Sequence, residues 1–185
     1  MITTFCGLEV DPLHMKKDQI LIEDLAHALA LCNRFAGHSR FPISVAQHSV
    51  LVSFLSDPEQ PFAGLLHDGS EAYLGDITKW LKMTPEMAAY RRAEAELQAT
   101  IYSVFGIFNP RGPFETVEWA DKIAVRFEFE QSFGHGQTVP GYSKLTSEEY
   151  MSLNETMESQ FLWRPVMTWQ EAEAAFLQRY RDLNR

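Results

Sequence analysis

The sequence predicts an all-α fold. No alternating apolar and polar run of useful strand length occurs along the chain. Apolar residues instead recur at spacings of three and four in several segments. The longest segment, Pro85 to Val104, is rich in Ala, Glu, Arg and Met, which favour helix. At 185 residues the chain suits one domain, spanning 1–185, with a sizeable core.

The first twenty residues read as irregular, with a short extended piece at Ile2–Phe5. A helix is predicted to start at Ile22 and run out at Asn33, with Glu23 and Asp24 in its first turn, where the helix dipole favours acids. Arg34 to Pro42 is a loop punctuated by Gly37 and Pro42. A second helix runs from Ser44 to Leu55 and stops before Asp57-Pro58. A third covers Phe62 to Asp68 and is expected to continue to Tyr73, with a turn at Gly75-Asp76. The helix from Pro85 has its proline in the first turn and closes at Phe105-Gly106. Another runs from Phe114 to Ser132, followed by a Gly-containing loop from Phe133 to Gly141. The last two are expected at Ser147–Ser159 and Trp169–Leu183, the first with a capping signal at Thr146-Ser147-Glu148-Glu149.

Composition excludes several function classes. A net charge of -9 argues against a sequence-independent grip on a nucleic-acid polymer. It does not exclude a small anionic substrate, because a bound divalent cation inverts the local field. Cys6 and Cys32 form no CxxC pair, and they read as reduced thiols of a cytoplasmic protein. Cys32 lies in the apolar face of a helix, a poor place for a nucleophile. No signal peptide is read at the N-terminus, and no stretch reaches the roughly 20 apolar residues of a membrane span. The phosphate loop GxxxxGK[ST], the zinc helix HExxH and the nucleophile elbow GxSxG are all missing.

The informative feature is His67-Asp68 at the end of the apolar run Gly64-Leu65-Leu66. An imidazole beside a carboxylate offers two ligands from one place on the backbone. His48 on the preceding helix and Asp121 on a later one complete a set if the helices pack around a common centre, as bundles do. Such a His2Asp2 set suits Zn, Mn, Fe, Co or Ni and leaves open positions. Glu71, four residues after His67, falls on the same face of a continuous helix. Asp76 follows five later. Four acidic or imidazole groups between residues 67 and 76 are expensive to assemble without a cation.

With these residues in view, His48, His67-Asp68 and Asp121 resemble the H…HD…D signature of the HD-domain phosphohydrolases. The resemblance runs from about Glu23 to past Asp121. Ser44-Val45-Ala46-Gln47-His48-Ser49, and the block from Leu65 to Ile77, are similar to segments of the bacterial 5'-deoxynucleotidase branch and of phage dATP triphosphohydrolases. It implies an HD-type helical bundle with one divalent metal ion in its core, held by His48, His67, Asp68 and Asp121. A second Mg is implied where the substrate is a triphosphate. Glu71 and Asp76 become the acid/base and water-positioning carboxylates. Arg34 and Lys82 become phosphate binders, and Phe35 an aromatic beside sugar or base. Thr78 and Trp80 stand where the family places prolines.

The implied reaction is hydrolysis of a small nucleotide at its 5'-phosphate. It releases phosphate from a deoxynucleoside monophosphate, or triphosphate from a deoxynucleoside triphosphate such as dATP. The alternatives are hydrolysis of a cyclic or signalling nucleotide, and a non-catalytic nucleotide-binding module. The resemblance also implies a homo-oligomer, for which Phe161, Leu162 and Trp163 are interface candidates. Among the other residues, His27 reads as core or interface, His14 as surface, His38 as a loop group near the site and His135 as a loop residue. Lys79 is a weaker phosphate candidate. The tryptophans read as core, with Trp80 a candidate for the pocket mouth.

Overall fold

The computed structural model describes residues 1–108, 114–134, 137–159 and 166–185. A two-residue antiparallel hairpin, β1 (Ile2–Thr3) and β2 (Glu9–Val10), pairs Ile2 with Val10 and Thr3 with Glu9. Helices follow: α1 (Ile22–Leu31), α2 (Val45–Leu55), α3 (Pro61–Leu66), α4 (Glu71–Leu74) and α5 (Lys79–Lys82). After them come α6 (Ala88–Val104), α7 (Glu115–Phe133), α8 (Ser147–Ser159) and α9 (Trp169–Leu183). Single 3-10 turns stand at Lys17–Gln19, Phe35–Gly37 and Pro85–Met87. The architecture is helical, as the sequence predicts. The hairpin is a correction, because half of the stretch read as extended pairs with residues read as irregular. No helix among the described residues is long and apolar enough to cross a membrane.

Helix α2 is the axis of the fold. Every residue from Val45 to Ser53 is buried, the signature of a helix packed on all sides. Ser44 starts it, accepting the Gln47 N–H on its hydroxyl at 3.1 Å. On one side Leu25, Leu29, Leu65, Leu66, Ile101 and Phe176 form a core from α1, α3, α6 and α9. On the other, Ile43, Leu51, Val52, Val117, Ile123 and Phe127 form a second core against α7. Arg179 of α9 ties down the end of α2. It donates to the Ser53 hydroxyl (2.9 Å) and carbonyl (3.1 Å) and lies over the Phe54 ring.

The continuous helix expected from Phe62 to Tyr73 is broken between α3 and α4, and the cause comes from elsewhere in the chain. In an unbroken helix the Ser70 N–H would bond the Leu66 carbonyl. Here the Gln98 side chain on α6 takes both groups. It donates to the Leu66 carbonyl at 2.6 Å and accepts from Ser70 N–H at 3.0 Å. The backbone between closes in tighter turns, with Gly69 N–H bonded to Leu66 and Glu71 N–H to Asp68. Ile101 packs where a side chain at Gly69 would stand.

Three tryptophans depart from the core expectation, with Trp80, Trp119 and Trp169 each more than two-fifths exposed. The readings of His135 and of Phe161, Leu162 and Trp163 lie outside the described residues.

Helices α2 and α3 meet at Gly64. A Cβ there would stand 2.5 Å from the Ser56 hydroxyl, 3.0 Å from Ser53 Cα and 3.2 Å from the Val52 carbonyl. Two of those three neighbours are backbone and cannot swing aside. Gly64→Ala is therefore expected to lower unfolding stability by about 1–3 kcal/mol, measured by urea denaturation. A change under about 0.5 kcal/mol would show that the helices have room to part.

Candidate metal centre

Four side chains from three places in the fold converge beside α2. His48 projects from its first half, His67 and Asp68 follow the end of α3, and Asp121 lies on α7. His48 Nε2 stands 3.3 Å from His67 Nε2 and 3.1 Å from Asp121 Oδ1. His67 Nε2 is 3.9 Å from Asp121 Oδ1. Asp68 Oδ2 adjoins the group at 3.1 Å from His67 Nε2 and 3.7 Å from His48 Nε2. One ligand atom from each of His48, His67 and Asp121 falls within 4.8 Å of the others, a group that could hold a metal ion.

The tautomers follow from the far side of each ring. His48 Nδ1 lies 2.9 Å from a carboxylate oxygen of Glu128, and His67 Nδ1 lies 2.8 Å from the Gly64 carbonyl. Both partners only accept, so both Nδ1 atoms carry hydrogen. The two Nε2 lone pairs then face each other and two carboxylate oxygens. Such a set of acceptors needs a cation or an extra proton at its centre, and two imidazole nitrogens with carboxylates suit a borderline divalent metal.

Metal-free electrostatics show the proton in that role. Burial opposes a charged His67, but Asp68 and then Asp121 overcome it and push the imidazole up to about 9. Burial also opposes charge on His48, and Arg34 adds to that, yet Glu128 and Asp121 still raise it. Burial works against ionised Asp68 and Asp121, but the neighbouring histidines hold both below the usual carboxylate range.

A cavity of about 580 Å³ opens beside these ligands, and Asp68 and Asp121 reach its lining. The remaining candidates, Arg34, Phe35, Glu71, Asp76 and Lys82, line the same cavity. All nine residues singled out from the sequence thus come together. Of the weaker candidates, Lys79 and Trp80 line it too. His38 is exposed and outside its lining, and His14 is at the surface. His27 instead stacks on Phe5 (ring centroids 3.9 Å apart) and pairs with Glu173 at 3.1 Å.

The loop before α2 sets Arg34 and Phe35. The Arg34 N–H bonds the Ile43 carbonyl at 2.8 Å and closes the base of the loop. Beyond it Phe35, Ala36 and Gly37 take φ of 57°, 51° and 75° in succession. Two non-glycine residues in the left-handed region are a strained turn. It brings the Phe35 ring edge-on to Phe129 and Phe133 of α7, which stack on each other at 4.3 Å.

Glu71 begins α4 and is almost fully buried, with Oε2 lacking a hydrogen-bond partner and Oε1 accepting from Lys82 at 3.0 Å. Burial, then Asp68 and Asp76, push its carboxyl up to about 9. Burial also raises Asp76, with Asp68 adding to it against Arg34. Lys82 is shared, since its ammonium also meets Glu94 of α6 at 2.5 Å. Burial disfavours its charge, but Glu71 and Glu94 outweigh that and raise its pKa. We take Lys82 as charged, because Glu94 holds it even when Glu71 is protonated. Arg91 clips the same segment by donating to the Lys82 and Thr84 carbonyls.

The sequence reading missed Glu128, a fully buried carboxylate between Phe127 and Phe129 that contacts both His48 and Arg34. Its signal was available: it stands seven residues, two helical turns, after Asp121 and so on the same face.

His67 and Glu71 are both raised, so in the pH window between their ordinary values and about 9 the metal-free native state binds more protons than the unfolded chain. The stabilising charge on His67 is fully present below about 6.5 and is lost as pH rises through about 9. Glu71, which ionises from about 4.5 only when unfolded, pulls stability down over the same range. The metal-free melting temperature is therefore expected to fall from pH 5 to pH 9, and His67→Gln to flatten the fall. A melting temperature that rises over this range would show that the cluster does not carry these protons.

No family model matches the chain. It is 39% identical over 128 residues to the uncharacterized protein YfdR of Escherichia coli (strain K12), covering 69% of each protein. It is 29% identical over 194 residues to the uncharacterized protein RCAP_rcc00048 of Rhodobacter capsulatus, covering 97% of this chain and 93% of that one. By the identity and coverage of the first of these matches, the chain belongs to the same family as YfdR.

Proposed function

We propose that this chain is a metal-dependent phosphohydrolase of the HD-domain type that acts at the 5'-phosphate of a small nucleotide. The observation that carries the reading is the convergence of four acceptor groups, His48, His67, Asp68 and Asp121, beside a cavity lined by Arg34, Lys82 and an aromatic wall. Those four would hold one divalent cation. When bound, it supplies an activated water and offsets negative charge on phosphoryl oxygens.

The remaining work falls to the chain's own residues. Arg34 and Lys82 bind phosphate oxygens and orient the phosphoryl group. Phe35, with Phe129 and Phe133, packs against the sugar or base. Asp76 orients the water and accepts its hydrogen bond. Glu71, buried at the cavity with its Oε2 free of protein partners, hands a proton to the departing 5' oxygen. Water adds to phosphorus as its proton passes to Asp76, the bond from phosphorus to the 5' oxygen breaks as that oxygen takes the Glu71 proton, and the products are a nucleoside plus phosphate or triphosphate.

The test loads the purified chain separately with Mn, Co, Zn and Mg, then assays deoxynucleoside mono- and triphosphates for released phosphate and triphosphate. Glu71→Ala is expected to keep its metal and lose about 10²–10⁴-fold in turnover, whereas His67→Ala loses metal and turnover together. Full activity in Glu71→Ala would remove its acid role. A metal-loaded chain that turned over no nucleotide would end the phosphohydrolase reading.

A further inference from the structure

We propose that Glu128 is a positioning residue that holds His48 and Arg34 in register, so that the cation ligands and the anion-binding edge of the cavity form one unit. The proposal rests on the phosphohydrolase reading only in taking phosphate as the anion.

Glu128 is fully buried on α7. Its two oxygens serve different partners, Oε1 the His48 Nδ1–H at 2.9 Å and Oε2 the Arg34 Nε at 3.0 Å. The Arg34 Nε–H does not point along the line to Oε2, so this second contact is a pairing of charges and not an aligned hydrogen bond. From Glu128 the guanidinium extends until Nη1 lies 3.6 Å from Asp68 Oδ2, and Arg34 also reaches the cavity.

Stability alone does not explain this carboxylate. Its sequence neighbours are Phe127 and Phe129, and an apolar side chain in such a place is often as stabilising as a buried ion pair. Orientation is what a carboxylate adds. Bonded to Nδ1, it fixes the tautomer of His48, turns Nε2 toward the other ligands and raises its basicity. Facing Nε, it occupies one edge of a planar guanidinium and leaves the others for a second partner. A shift of Glu128 therefore moves a cation ligand and an anion ligand together.

The experiment uses the full chain, stripped of metal and titrated with cobalt(II) by visible absorption against a competing chelator. Inorganic phosphate is then titrated into the cobalt-loaded protein by calorimetry. Glu128→Gln removes the charge at nearly constant shape. It is expected to weaken cobalt binding about 10–100-fold, alter the cobalt spectrum and weaken phosphate binding. Glu128→Asp keeps the charge but shortens the reach, and is expected to lose cobalt affinity as well. It provides the measurement if the glutamine variant does not fold. Ser132→Ala deletes a 2.8 Å bond to the Glu128 backbone carbonyl in the same buried turn while sparing the carboxylate. It should leave both affinities within about twofold of the parent.

The proposal is overturned if the folded Glu128 variants keep either affinity, if Ser132→Ala shows the same losses, or if the parent binds neither probe. A parent chain that binds cobalt and phosphate but hydrolyses no nucleotide defeats the functional reading alone, and the losses in the Glu128 variants still support the positioning role.

Discussion

The site depends on one close approach. At Gly64, α3 comes against α2 with no space for a side chain between them. That contact bears on the spacing of the two metal-ligand candidates, because His48 lies one turn before Val52 on α2 and His67 is the first residue after α3. Gly64 acts twice, since its carbonyl also holds His67 Nδ1 and so turns Nε2 toward His48. The missing side chain sets the distance, and the backbone carbonyl sets the orientation. Ser53 reinforces the contact by donating to the Pro61 carbonyl, while Ser56 bonds back to the Val52 carbonyl within the end of α2.

Around that approach the polar groups alternate in sign. His48 meets Glu128, Glu128 meets Arg34, Arg34 approaches Asp68, and Asp68 meets His67. Buried charges are tolerable only in such a sequence, each offset by the next. It ends at the His48, His67 and Asp121 group, where the acceptors outnumber the donors. The demand for positive charge is thus built into the apolar interior, next to Leu51 and Phe127, and does not depend on the surface balance of the chain.

Much of this was legible from sequence because helical periodicity is local. Helices α1, α2, α7 and α9 start within two residues of where capping and spacing put them, and the adjacent pair His67-Asp68 marks the site. What was not legible is non-local or short. The break between α3 and α4 is made by Gln98, twenty-eight residues beyond Ser70, so no window around Leu66 could reveal it. Helix α5 is four residues long, shorter than any periodic signal needs. Glu128 was legible through its two-turn spacing from Asp121, but its place between two phenylalanines drew attention away from it. The left-handed turn at Phe35 and Ala36 was also hidden, because neither residue type favours it.

The sharing of Lys82 has a consequence for how anything anionic enters the cavity. The ammonium already belongs to Glu71 and Glu94, the Lys79 ammonium is bonded to Tyr142, and Arg91 is spent on backbone carbonyls. An anion that turns to Lys82 therefore competes with two carboxylates, whereas Arg34 still offers it a guanidinium edge. At Lys82 binding is an exchange of partners. When Lys82 turns toward a guest, Glu71 loses the neighbour that favoured its ionised form, and its hold on a proton tightens at the moment the cavity fills. Lys82 thus ties the filling of the cavity to the charge balance at Glu71.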